Sequence, residues 1–232
     1  MRPVERGPTP LNSDGTTKRY AKYANARRDL IARLGEYCSY CGMHLDSSLA
    51  VEHIQPKKHY PHLELQWGNY LLACTNCNST KLDKNPPLDS ILWPHLDNTF
   101  RAFKYDVAGV VKVAPGLSLA LKIKAQATIK LTGLDKKPNK QDASDRRWLN
   151  RREAWQDANA AKADLLIADS PAMRRSIIRG AKAQGYWSIW MTVFSDDTDM
   201  LARLLDTTNF VGTAPACFDA QGATVARVGG QV

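Results

Sequence analysis

The chain lacks any apolar run long enough to cross a bilayer, which takes about 20 residues, and Met1-Arg2-Pro3 opens no signal-peptide pattern. No membrane partner and a cytoplasmic location are therefore expected. Internal repeats and low-complexity tracts are also missing, which excludes solenoid arrays. Cysteine is scarce, with five in 232 residues. Four of them form two Cys-x-x-Cys pairs and Cys217 stands alone, which argues for a reducing compartment over a disulfide scaffold. Acidic residues are in deficit, 23 against 32 Lys and Arg, for a net charge of +9.

That excess is uneven. Residues 1–35 carry eight basic and three acidic side chains, 36–88 carry four and five, and 89–232 carry twenty and fifteen. A slightly acidic centre with basic flanks suits a metal site that works on a polyanion held by neighbouring surfaces. The densest basic stretch contains Lys136, Lys137, Lys140, Arg146, Arg147, Arg151 and Arg152. Its alternative reading is a solvated helix face, and positive charge alone names no sequence.

The two pairs, Cys38/Cys41 and Cys74/Cys77, supply four thiolates of the kind zinc takes in closed tetrahedral sites. A redox role for either pair is the competing reading. Two matched pairs around one short segment favour Zn2+ as a structural clamp that does no chemistry itself. Between the pairs lies Val51-Glu52-His53-Ile54-Gln55-Pro56. Its apolar, β-branched character reads as a strand ended by Pro56. Leu71-Leu72-Ala73 reads as a second strand, and Thr75 to Lys84 as a helix stopped before Pro86-Pro87.

Strand, loop, strand and helix within a zinc knuckle resemble the HNH endonucleases of the ββα-metal fold, four-cysteine zinc type. The resemblance rests on Cys38-x-x-Cys41, Glu52-His53-Ile54-x-Pro56, Trp67-Gly68-Asn69-x-Leu71-Leu72 and Cys74-x-x-Cys77-Asn78-x-x-Lys81, and covers roughly residues 36–88. It implies metal-dependent phosphodiester hydrolysis. His53 is then the general base, apt because an imidazole titrates near neutral pH. Glu52, on the opposite strand face from His53, and Asn78 become ligands of a catalytic Mg2+ or Mn2+, since oxygen donors suit a hard ion. Relatives more often carry Asp at the Glu52 position. Many have His where Asn78 stands, although Asn occurs in the HNH domain of the CRISPR effector nucleases. Asn69 ties the loop to the strand and orients His53, with a plain turn role as its alternative. Lys81 holds the scissile phosphate or its departing oxygen, or is merely solvated. Lys57, Lys58, Lys136, Lys137, Arg146 and Arg147 are the candidate nucleic-acid contacts.

The expected class is α+β: a zinc-stapled ββα-metal core with an N-terminal helix and a mainly helical C-terminal region. Three segments follow: 1–35 as arm and helix, 36–88 as nuclease core, and 89–232 as hairpin plus helices. Residues 1–18 look like an extended arm, and 20–34 like a helix closed by Gly35. Phe100–Val113 reads as a hairpin turning at 106–109. Helices are expected near 118–132, 144–168, 171–184 and 196–205, with Ser144 and Ser170 as N-caps, and a loose glycine-containing tail. Trp148 and Trp155, seven apart, are expected to share a helix face that packs in a core or against a partner.

Arg6-Gly7-Pro8-Thr9-Pro10, the zinc segment, the hairpin and the helical tail resemble the Septu and retron-associated group of anti-phage HNH nucleases. In that group the HNH protein works beside an ABC-type ATPase, so the resemblance implies such a partner docked on the helical tail. DNA is the expected substrate, with RNA left open, and a homodimer is the simple route to double-strand cuts. The alternatives are a zinc-stapled nucleic-acid-binding module without catalysis and a structural subunit of such a complex.

Overall fold

The apolar stretch around Val51 forms β1 (Ala50–His53), which pairs antiparallel with β2 (Tyr70–Ala73) in the register Val51↔Leu72, Glu52↔Leu71 and His53↔Tyr70. This is a computed structural model of the chain and describes residues 1–136 and 144–232. All of β2 is buried, which explains its continuous Tyr-Leu-Leu-Ala composition. A single residue, Cys74, separates β2 from α2 (Thr75–Lys81) and caps it by accepting from Cys77 N–H. The helix stops at Leu82, whose φ of 47° breaks the helical path, so it is shorter than the expected run to Lys84.

Upstream, a 3-10 turn (Tyr23–Ala26) leads into α1 (Arg27–Leu34), which Gly35 closes as expected. The first residues depart from the extended-arm reading. Met1, Arg2 and Val4 are buried, and the Arg2 guanidinium donates to Leu34 O, Phe210 O, Val211 O and Thr213 Oγ1. Burying a guanidinium is costly unless its donors are matched, and here they join the first residues to the end of α1 and to residues 210–213. Arg6 Nη1 donates to Tyr70 O, and Gly7 O accepts from Trp67 Nε1, so the Arg6-Gly7 motif is stitched onto the hairpin.

After the core, α3 (Thr99–Ala102) takes the start of the expected hairpin, leaving only β3 (Phe103–Lys104) and β4 (Lys112–Val113) as strands. Then come α4 (Leu119–Thr132), α5 (Arg147–Ile167), α6 (Pro171–Gln184), α7 (Trp187–Val193) and α8 (Thr198–Leu205). Ser118 and Ser170 cap their helices as side-chain acceptors. The expected cap at Ser144 is corrected: the N-cap position of α5 is Arg146, without a side-chain cap bond, and the Asp145 carboxylate before it accepts Arg147 N–H. Trp155 packs against the core, whereas Trp148 is half-buried beneath the Arg152 guanidinium. The tail is tied down, correcting the loose-end expectation: Asn98 N–H donates to Val232 O and Gln231 N–H to the Asp97 carboxylate. Buried side chains from all three predicted segments form one cluster. Lys137 and Lys140 lie outside the described residues, among which no helix is long and apolar enough to cross a membrane.

Candidate active site and zinc staple

The sulfur atoms of Cys38, Cys41, Cys74 and Cys77 all lie within 4.8 Å of one another and are buried. Cys41 Sγ and Cys74 Sγ are 3.7 Å apart, and a tetrahedral ZnS4 unit with bonds of about 2.3 Å has edges of about 3.8 Å. The donor set therefore fits zinc. Local structure builds it from both sides. Gly42 N–H donates to Cys38 O and Cys38 N–H to Met43 O, and Gly42 at φ 79° makes the turn that an L side chain resists. Ser39 N–H donates to Leu72 O, with Leu72 N–H returning to Ser39 Oγ, so the first knuckle is pinned to β2. The second knuckle is the first turn of α2.

At the end of β1, a cavity of about 290 Å3 is lined by Tyr23, Glu52, His53, Lys57, Lys58, Asn78 and Asp83 among others. His53 Nε2 sits 3.0 Å from Glu64 O. A carbonyl only accepts, so in the neutral ring Nε2 carries the proton and Nδ1 keeps its lone pair. Burial holds the His53 pKa below its ordinary value, the Glu64 carbonyl works against that, and the Lys57 and Lys81 charges add to it. The ring is held edge-on between Tyr23 at 4.9 Å and Tyr70 at 5.4 Å, centroid to centroid. Tyr70 Oη also donates to Glu64 O at 2.6 Å, fixing the carbonyl that fixes the histidine.

Asn69 is buried and braces the loop: Oδ1 accepts Gln55 N–H, and Nδ2 donates to Gln55 O and Leu63 O. These bonds are all to loop backbone, so Asn69 acts on His53 through the loop that carries Glu64. The expected loop tie is thus present, while direct orientation of His53 by the Asn69 side chain is replaced by the Glu64 carbonyl.

Glu52 is buried and also lines the cavity, so Glu52 and His53, neighbours expected on opposite strand faces, both border one space where β1 ends. Its Oε1 lies 2.7 Å from Lys81 Nζ, off the axis of a good hydrogen bond. Burial raises the Glu52 pKa, and the Lys81 charge opposes that rise. Lys81 itself is fully buried and donates to His53 O at 2.6 Å. A phosphate contact needs an exposed ammonium, so the role expected for Lys81 is corrected: it pairs with Glu52 and anchors the end of β1. Asn78, half-buried one turn earlier on α2, faces the cavity.

Among the expected nucleic-acid contacts, Lys57 and Lys58 stand at the cavity and pair with Glu64 and Asp83 at 2.9 and 2.5 Å. Arg146 is exposed and Lys136 half-buried. Arg147 is corrected: it is buried, with its donors on Asp145, Cys77 Sγ, Thr132 O and Gly133 O. Lys137 lies outside the described residues. Sequence reasoning missed Tyr23 and Asp83 as cavity residues; Asp83 follows the helix closely enough to have been flagged by its position, whereas Tyr23 carried no signal.

A zinc-stapled ββα unit with a histidine at the strand end is the class defined by the HNH endonucleases, and residues 38–84 match the HNH endonuclease family model. The chain is also 35% identical over 78 residues to the Septu protein PtuB of Bacillus thuringiensis. That similarity covers 31% of this chain and 30% of the relative, so most of both chains lies outside it.

Proposed function

We propose that the protein is a Mg2+- or Mn2+-dependent HNH endonuclease that hydrolyses phosphodiester bonds in DNA. The observation that carries the reading is the commitment of His53 Nε2 to Glu64 O, which leaves Nδ1 unprotonated at a cavity holding a carboxylate and an amide. In this reading His53 Nδ1 takes the proton of the attacking water, and its depressed pKa keeps it ready to do so at neutral pH. Glu52 and Asn78 would hold the ion. The donor set fits: Glu52 Oε1 is buried without an aligned donor, and Mg2+ is commonly held by one or two protein oxygens plus waters. When bound, the ion supplies Lewis-acid stabilisation of the developing phosphate charge and of the leaving oxygen. Lys57 and Lys58 would meet phosphates at the cavity, with Arg146 and Lys136 contributing more distant attraction.

The similarity to the Septu protein PtuB supports a defence role for this nuclease; an ATPase partner docked on the helical region is part of the same proposal. One observation favours the alternative of a non-catalytic zinc-stapled subunit: Lys81 already neutralises Glu52, so that carboxylate has a structural partner without any ion.

The test is cleavage of supercoiled plasmid with Mg2+ or Mn2+, comparing wild type with His53→Ala, with and without EDTA and an RNA control. Metal-dependent nicking or linearisation lost in the variant supports the nuclease. Should the zinc-loaded protein be inactive alone, the assay is repeated with the ATPase; inactivity in that complex too favours the structural subunit.

A further inference from the structure

We infer that Arg147, at the start of α5 and outside the HNH match, is an outer ligand of the zinc staple, tuning Cys77 through an N–H···S bond. The inference rests on the four-cysteine zinc site and not on the nuclease activity. Arg147 Nη1 lies 3.0 Å from Cys77 Sγ, and both residues are buried. A guanidinium has five N–H donors in a fixed plane, and all five have acceptors here. Nε faces Asp145 Oδ1 and Oδ2 at 2.9 and 3.1 Å, and Nη2 donates to Asp145 Oδ2 at 2.6 Å and Gly133 O at 2.9 Å. Nη1 donates to Thr132 O at 2.8 Å and to the sulfur. Gly133, the left-handed cap of α4, leaves room for this approach: a Cβ there would stand 2.9 Å from Thr80 Cγ2 and 3.2 Å from Arg147 Nη2.

The electrostatics call for such a partner. Four thiolates on a divalent ion carry a net charge of −2, and this dianion is buried. Arg147 brings a cation to Cys77. Arg151, one turn further along α5, is also fully buried, donates to Gly109 O and Leu134 O, and keeps Nη1 without a partner. Two cations of one helix face are thus set near the sulfur cluster, with Arg147 also paired to Asp145. A second contact runs from the same region to the first knuckle: Tyr186 N–H donates to Gly42 O at 2.6 Å. The C-terminal helices therefore close the zinc site from outside, and Arg147 is a positioning residue that acts through Cys77.

The experiment uses the full chain as wild type, Arg147→Met, Arg147→Lys and Ala154→Gly. The last loosens the buried face of α5 without touching a sulfur. Zinc content is measured first; a folded wild type without bound zinc overturns the inference together with the staple. With Co2+ in the site, loss of the N–H···S bond is expected to move the sulfur-to-metal charge-transfer band to lower energy in both Arg147 variants but not in Ala154→Gly. Competition with a chromophoric chelator should show zinc affinity falling roughly 10- to 100-fold in Arg147→Met. An unchanged band and affinity in either folded Arg147 variant, or an equal shift in Ala154→Gly, overturns the inference. Wild type loaded with 113Cd gives a readout that needs no variant: coupling between the metal and an Arg147 Nη–H resonance is expected, and a resolved resonance without it overturns the inference as well.

Discussion

The cluster of four buried sulfurs and the cavity lined by a carboxylate and an amide differ in how completely the protein has built them. The sulfur set is closed: all four ligands come from the chain, they converge to tetrahedral spacing, and a guanidinium attends one of them. The oxygen set is partial. Glu52 and Asn78 border an open cavity that also admits Lys57, Lys58 and Asp83, and water must supply the rest of a hard ion's shell. The difference teaches where each ion's free energy goes. A closed site would feed folding, and in the proposed nuclease the open one would keep coordination positions for a substrate.

The largest expected effect separates the two at once. Cys74→Ser removes a sulfur ligand and the cap of α2 together. Structural zinc sites contribute about 10–16 kcal/mol of folding free energy, so this variant should lose zinc and its cooperative thermal unfolding. Survival of a folded, cooperative protein without zinc would break the comparison.

His53→Ala sharpens it from the other side. Removing a general base typically costs about 100- to 10,000-fold in rate, while the zinc content and melting temperature should stay near wild type. Plasmid cleavage, metal analysis and a thermal melt on the same preparation check all three. A cleaving His53→Ala protein would empty the cavity of its proposed chemistry.

Lys81→Met tests the seam between the two sites. Breaking a buried pair leaves the Glu52 charge uncompensated, at a cost of roughly 3–5 kcal/mol, and frees His53 O from its donor. A urea titration should register the loss. Because Glu52 then lacks its internal cation, added Mn2+ should restore part of the stability if that carboxylate is an ion ligand. No recovery would favour the purely structural pairing.

Much of this core was legible because short-range chemistry fixes it. Cys-x-x-Cys spacing, the apolar Leu71-Leu72-Ala73 and the proline after Ile54 each constrain a few neighbouring residues, and the staple, β1, β2 and α2 follow from them. What failed was decided at long range. Lys81 and Asn78 share a face of α2 by helical spacing, yet only the packing of that helix on β1 buries one and leaves the other at the cavity. Arg147 sits in a basic run that reads as a solvated surface until Asp145, α4 and Cys77 close around it. The segment Trp187–Val193 forms a helix that is almost wholly buried, so it lacks the polar face that would have announced it. Tyr23 reaches His53 from a turn that no motif connects to the cavity.

Lys58→Ala should have the smallest effect, and it bears on the open site alone. The side chain is 70% exposed and pairs with Asp83 on the surface, where such pairs contribute little to folding. Its melting temperature should therefore match wild type. Binding to DNA is another matter, since each phosphate contact releases a condensed counterion and steepens the dependence of affinity on salt. Losing one contact should weaken binding across unrelated sequences and lower the slope of log affinity against log salt by about 1. Fluorescence anisotropy with a labelled duplex across a salt series reads that slope directly. An unchanged slope would mean that Asp83 keeps Lys58 occupied, and that the phosphates approach the cavity from the Lys57 side.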